Sequence, residues 1–106
     1  MSNESITETV LVREIIDTLS KHGAPYRTNA GSVRLSGGRM YHGLPKGFCD
    51  ILFIRDGKAH FIEAKIKPNK PTSAQLEFIY KMIELGCRAG VAYSVDDALE
   101  ICGLKR

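Results

Sequence analysis

Residues 47–67 read GFCDILFIRDGKAHFIEAKIK. Two apolar runs, 48–54 and 59–66, flank Asp56-Gly57. That dipeptide between β-rich runs predicts a tight hairpin. Charge interrupts the runs: Asp50 opens the first, and Glu63 and Lys65 close the second. Strand side chains alternate faces, so Glu63 and Lys65 share one face while Ile62 and Ala64 take the other. A turn at Asp56-Gly57 places position 50 near position 63. Two carboxylates and an ammonium then converge. Hard divalent cations want oxygen ligands, and Mg²⁺ takes one or two carboxylates plus water and phosphate oxygens. Ala64, between Glu63 and Lys65, can add its main-chain carbonyl. Lys65 can orient or help deprotonate a water, or steady developing negative charge. For any one of these residues alone, a surface ion pair or a strand-end acid is the simpler reading. The combination is more restrictive.

The rest of the chain frames this hairpin. Residues 4–22, ESITETVLVREIIDTLSKH, predict a helix with Leu11, Val12, Ile15, Ile16 and Leu19 on one face, stopped by Gly23 and Pro25. At about 100° per residue, Glu8 projects onto that apolar face, with Glu4 nearby, while Glu14 and Asp17 point away. A carboxylate aimed at a core needs a partner. Residues 24–47 are rich in glycine and base. They predict short extended pieces at 26–29 and 32–35, then a mobile basic loop over 36–46. Thr72 or Ser73 caps a helix running to about Leu85, with Gly86 as its stop. Residues 89–95 predict a buried strand, and 96–102 a short helix. The 72–85 helix carries two apolar stripes, one of Leu76, Ile79, Tyr80 and Ile83, the other of Phe78, Met82 and Leu85. One packs on the sheet. The other needs a cover of its own, and a homodimer provides it.

The 106 residues are 43% hydrophobic and 25% charged, the composition and size of one globular domain, residues 1–106. No apolar run approaches bilayer length. The polar start MSNESITETV is no secretory signal, so a cytoplasmic location is expected. The formal charge is +3 with a pI near 8.8, compatible with a polyanion partner. Arg27, Arg34, Arg39, His42 and Lys46 run together without an acid, and Lys65, Lys67 and Lys70 follow Glu63. Cys49, Cys87 and Cys102 have no zinc-site spacing and read as free, buried thiols.

Taken together, KGFCDILFI, FIEAK and TSAQ, with RTNAG before and AYSVDDAL after, resemble the VRR-NUC family of the PD-(D/E)xK nuclease superfamily, in its small stand-alone or phage-type form. The resemblance covers almost the whole chain. It implies an α/β fold like that of restriction endonucleases, a mixed central β-sheet flanked by helices. It implies metal-dependent phosphodiester hydrolysis on DNA, with Mg²⁺ or Mn²⁺ as the only cofactor, in a bacterial or phage-infected cell. Carried over residue by residue, the metal ligands are Asp50, Glu63 and the Ala64 carbonyl. The catalytic lysine is Lys65, the glutamine Gln75 and the helical acid Glu8. Arg27, Arg34, Arg39, Lys46, Lys67 and Lys70 would hold flanking phosphates without reading sequence. No helix is evidently spared for the major groove, which points to branched DNA, such as Holliday junctions or flaps. A symmetric dimer would set one site on each strand of a two-fold junction. The superfamily usually has proline before the aspartate, where this chain has Cys49, read here as a packing residue. A non-catalytic nucleic-acid-binding or assembly domain of the same fold is the alternative. The intact Asp50, Glu63 and Lys65 count against it.

Overall fold

The computed structural model describes residues 7–29, 32–34, 37, 38 and 40–106, with the backbone alone at 32–34 and 40–42. The hairpin forms as read. Strands β4 (Ile51–Arg55) and β5 (Lys58–Ala64) pair antiparallel, Ile51 opposite Ile62 and Arg55 opposite Lys58. The turn residues Asp56 and Gly57 both take positive φ, +53° and +74°. Such backbone matches the twist of a two-residue hairpin, and the Asp-Gly pair tolerates it. One step beyond the ladder, Asp50 lies opposite Glu63.

Around the hairpin, β1 (Ala24–Arg27) pairs antiparallel with β4, and β6 (Arg88–Ala92) pairs parallel with β5. The sheet order is β1-β4-β5-β6. Parallel neighbours need a crossover, and α2 (Ser73–Glu84) supplies it. The helices α1 (Glu8–Leu19) and α3 (Val95–Ile101) cover one face. There Leu11, Val12, Ile15 and Leu19 meet Ile51, Phe53, Ile62 and Ala64 of the sheet and Ala98 and Leu99 of α3. On the other face Ile79 of α2 packs with Cys49 and Phe61, among the rings of Phe48 and Phe78. Phe48 and Phe78 lie 4.5 Å apart, and Phe61 stands edge-on to both. The mixed, helix-flanked sheet is the one expected.

Several boundaries move. The first helix begins at Glu8 because Thr7 caps it, its hydroxyl accepting from the Val10 N–H, and it ends at Leu19. Glu8 is thus its first residue, half-buried at the N-terminal end of the apolar face. The first extended piece is 24–27, not 26–29. Part of the expected loop is ordered as β3 (Met40–His42), paired antiparallel with β2 (Ser32–Arg34) in a separate two-stranded sheet. Three residues among glycines carry no readable alternation. The final strand stops at Ala92 because the Ser94 side chain caps α3. On α2 the sheet-facing arc is Phe78, Ile79 and Met82. Ile79 therefore leaves the stripe it was read into, and Leu85 joins the outward set. Cys49, Cys87 and Cys102 are free thiols; Cys49 and Cys102 are buried as expected, but Cys87 is only half-buried. No described helix is long and apolar enough to cross a membrane.

Candidate active site

The charged residues of the hairpin meet where β5 ends. Glu63 points to the α2 side of the sheet and is 1% exposed. Its Oε2 lies 3.6 Å from Lys65 Nζ, and the lysine side chain is 12% exposed. Asp50 sits at the bend before β4, its Oδ2 accepting from the Ala64 N–H at 2.9 Å. That bond ties the two strands together just past their ladder. On the other edge of β5, Ala92 O accepts from the Lys65 N–H. Ala64 therefore turns its own N–H toward Asp50, and an extended residue projects its N–H and C=O to the same side. The Ala64 carbonyl thus points to the Asp50 side of β5.

The electrostatics are unbalanced. Burial first, and the Asp50 carboxylate second, push the Glu63 carboxyl up to about 8. Lys65 pulls the other way, while a hydrogen bond between the Glu63 and Asp50 carboxyls and, last, the charge of Glu8 add to the push. The charge of Glu8 therefore reaches Glu63. Glu14 lies on a different groove, and Glu4 falls outside the described residues. One Glu63 oxygen, Oε1, is buried with no hydrogen-bond partner among the described residues. A buried carboxylate oxygen without a partner is expensive. Within the buried part of the site Lys65 is paired with Glu63 alone, and Glu63 Oε1 is left without a partner among the described residues. A divalent cation meets that need. Among the described residues no three His, Cys, Asp or Glu side chains group as ligands. The protein would offer two carboxylates and a carbonyl, leaving the remaining positions to water and phosphate. That all-oxygen, half-open donor set fits Mg²⁺ or Mn²⁺.

A cleft of about 360 Å³ opens on Asp50, lined also by Arg27, Asn29, Lys46, Gly47 and Gln75. Arg27 and Lys46 are exposed at its rim. Gln75 has a second role unseen in the sequence. Its Oε1 accepts from the Thr72 N–H while its own N–H donates to Thr72 Oγ1, a reciprocal capping box that starts α2. The amide NH₂ is then the group it can present. Lys67 and Lys70 are exposed beyond β5, away from this cleft. Of Arg34 only the backbone is described, in β2, and Arg39 lies outside the described residues. Cys49 is fully buried against Phe61 and Ile79, and burial, then Glu63 and Asp50, raises its thiol far above the ordinary range. It packs, as read, and is no nucleophile.

Two further residues hold the site. Thr28, just past β1, donates its N–H to Asp50 O at 2.9 Å and its hydroxyl to Cys49 O. It fixes the peptide from which the Asp50 side chain springs. Gly47 takes φ +90°, and a Cβ there would lie 2.6 Å from Ala74 O in the first turn of α2. The turn before Asp50 thus rests directly on the helix that carries Gln75. In the sequence Gly47 stands three residues before Asp50, within KGFCD, whereas nothing marks Thr28. Thr28→Val removes the hydroxyl and keeps the shape. It is expected to cost about 1 kcal/mol of stability in urea denaturation, for one net hydrogen bond, and Thr28→Ser to restore most of it.

No family model matches the sequence, and no curated protein matches it. Among solved structures, a VRR_NUC domain superposes with a TM-score of 0.63 at 19% identity, covering 92% of this chain and 97% of that one. At this identity the likeness concerns the fold. It agrees with the resemblance carried by the motifs. The chain has the fold of a VRR_NUC domain.

Proposed function

We propose that this chain is a Mg²⁺- or Mn²⁺-dependent DNA endonuclease that hydrolyses phosphodiester bonds and favours branched DNA. The observation that carries the reading is the buried, unpartnered Glu63 Oε1 beside Asp50 and Lys65. A pure binding domain gains nothing from acids placed where a phosphate must come. A divalent cation held by Asp50, Glu63 and the Ala64 carbonyl supplies Lewis-acid activation of the phosphate and of its attacking water. Lys65 offers an ammonium in a largely water-excluded position, where it steadies charge that grows on the phosphoryl oxygens or orients the water. Glu8 adds negative charge that favours the cation. Gln75 and Arg27 border the cleft and position the strand, with Lys46 at the rim. Arg34, Arg39, Lys67 and Lys70 are proposed to hold phosphates farther out.

The test uses a labelled four-way junction, a flap and a plain duplex, with Mg²⁺, with Mn²⁺ and with chelator. The wild type cleaves in either metal and not in chelator. Asp50→Ala and Lys65→Ala each lose cleavage by about a hundredfold or more while DNA binding in chelator persists. No cleavage of any substrate in either metal would leave only the binding-domain reading.

The same reading includes a homodimer. On α2, Tyr80, Ile83 and Leu85 are 61%, 49% and 68% exposed. An apolar stripe left outward on a helix supports a partner surface, and a second copy would bring a second site for the opposite strand. Sedimentation is expected to give a dimer at micromolar concentration and Ile83→Glu a monomer. A monomeric wild type would overturn this element.

A further inference from the structure

Beyond the cleft, a groove of about 840 Å³ lies on the α1–α3 side of the same sheet end. Leu11 and Glu14 of α1, Ile66 and Lys67 after β5, and Tyr93 and Val95 at the start of α3 line it. Its position follows from the chain. Ile66 is the residue after Lys65. Tyr93 is the residue after Ala92, which pairs with Ala64. From Lys65 to Lys67 an extended chain advances only about 7 Å. Glu63 and Lys65 face the α2 side, so a strand with one phosphate at Asp50, Glu63 and Lys65 sets a neighbouring nucleotide here by passing around the end of the sheet beyond Ala64, where Ile66 and Lys67 follow.

The charges say which part of that nucleotide fits. Asp96 is paired with Arg106 at 2.7 Å. Asp97 accepts the Tyr93 N–H at 2.9 Å. Glu14 has no ion-pair partner among the described residues. Lys67 is the remaining cation, its Nζ 5.4 Å from the centre of the Tyr93 ring. A phosphate in the groove would meet three acids for two cations, one of them already paired. Leu11, Ile66 and Val95 offer apolar walls, and the Tyr93 ring is fixed by its hydroxyl, which donates to Asn69 O at 3.2 Å. Apolar walls, one anchored ring and a free carboxylate suit a flat uncharged heterocycle bearing an amino group.

We propose that this groove receives an unpaired nucleobase of the strand being cut, next to the scissile phosphate; the inference rests on the nuclease reading above. The base lies on the Tyr93 ring. Lys67, an exposed and flexible arm, gives up the ring for the phosphate of the same nucleotide. Glu14 accepts a hydrogen bond from an exocyclic amino group of the base. Paired DNA supplies such a base only at the cost of unstacking it, whereas a flap or a junction already has one. The groove thereby selects branched DNA without a helix in the major groove.

The test is fluorescence anisotropy in chelator, where no cleavage occurs. The probes are a labelled flap with normal bases at the two unpaired positions beside the branch, the same flap with abasic sites there, and a plain duplex. The intact flap is expected to bind at least fivefold tighter than the abasic one, the lower range of base–aromatic stacking. Tyr93→Ala removes that difference and Tyr93→Phe keeps it. Equal binding of intact and abasic flaps by the wild type overturns the proposal, and so does a Tyr93→Ala protein that still discriminates. A wild type that cuts DNA but ignores the missing base refutes the groove alone. A wild type that detects the base but never cuts refutes the nuclease reading alone.

Discussion

Glu63→Gln stabilises the folded protein above neutral pH and abolishes cleavage. In the folded chain the Glu63 carboxyl holds its proton to about 8, against 4.5 for the ordinary side chain. Between those two values the folded state binds more protons than the unfolded one. Stability therefore falls as pH rises through this window and levels off above about 8. The loss is on the order of a few kcal/mol, since a tenfold change in proton affinity corresponds to about 1.4 kcal/mol. Glutamine has the same shape and no charge to desolvate, so its stability lacks that slope. Urea midpoints from pH 5 to 9 in chelator read this directly. The wild type should decline toward pH 8 and Glu63→Gln should not. Activity moves the opposite way, by more than a hundredfold, beyond what losing a mere supporting partner of a metal ligand costs. A parallel decline in both proteins would show that Glu63 is not the group whose charge is disfavoured.

The same linkage predicts how cations act. Binding to Glu63 requires the carboxylate, so a cation must displace a proton below about pH 8. Adding Mn²⁺ should raise the melting temperature of the wild type more at pH 8.5 than at pH 6. Glu63→Gln should show little of this at either pH. On the proposed function, the destabilised spot is also the catalytic one, the usual exchange of stability for activity.

Gly47→Ala is the second large effect. The backbone at Gly47 has φ +90°, and the added methyl would stand 2.6 Å from Ala74 O and 2.8 Å from Ala74 C. Both are backbone atoms of a helix, and neither yields as a flexible side chain does. Strained φ and the clash together are expected to cost about 2–3 kcal/mol. The loss should not stop at stability. To relieve the clash, the 47–50 segment must lift from α2, which separates Asp50 from Gln75 across their cleft. Cleavage per folded molecule should fall at least tenfold, by analogy with the sensitivity of reaction geometry to small displacements. Gly57→Ala is the control, also at positive φ, +74°, but with open space around its Cβ. It should cost about 1 kcal/mol and leave cleavage unchanged.

Much of this site was legible because it depends on local rules. Asp56-Gly57 dictates the turn, the turn dictates the register, and the register sets position 50 opposite position 63. Alternation then puts Glu63 and Lys65 on one side. The α1 face from Leu11 to Leu19 and the Thr72 cap follow from spacing in the same way. Other features have no local signature. A three-residue strand such as Met40–His42 is defined only by its partner Ser32–Arg34. Thr28 looks like any threonine after a strand until β1 lies beside the Cys49–Asp50 peptide. Gln75 reads as a site residue and proves also to be a helix cap, since both uses demand the same side chain at the same position.

The hairpin, its register and the identity of the acids and lysine it presents were all written in the order of residues, because strand alternation and turn chemistry act over a few positions. How deeply Glu63 is buried, that its Oε1 finds no partner among the described residues, and that Glu8 lies within electrical reach came only with the folded chain. So did the placing of Tyr93 and Lys67 around a groove beside the site. Burial and charge balance are sums over residues far apart in the chain, and they take a value only once the sheet and its helices have closed around the same point.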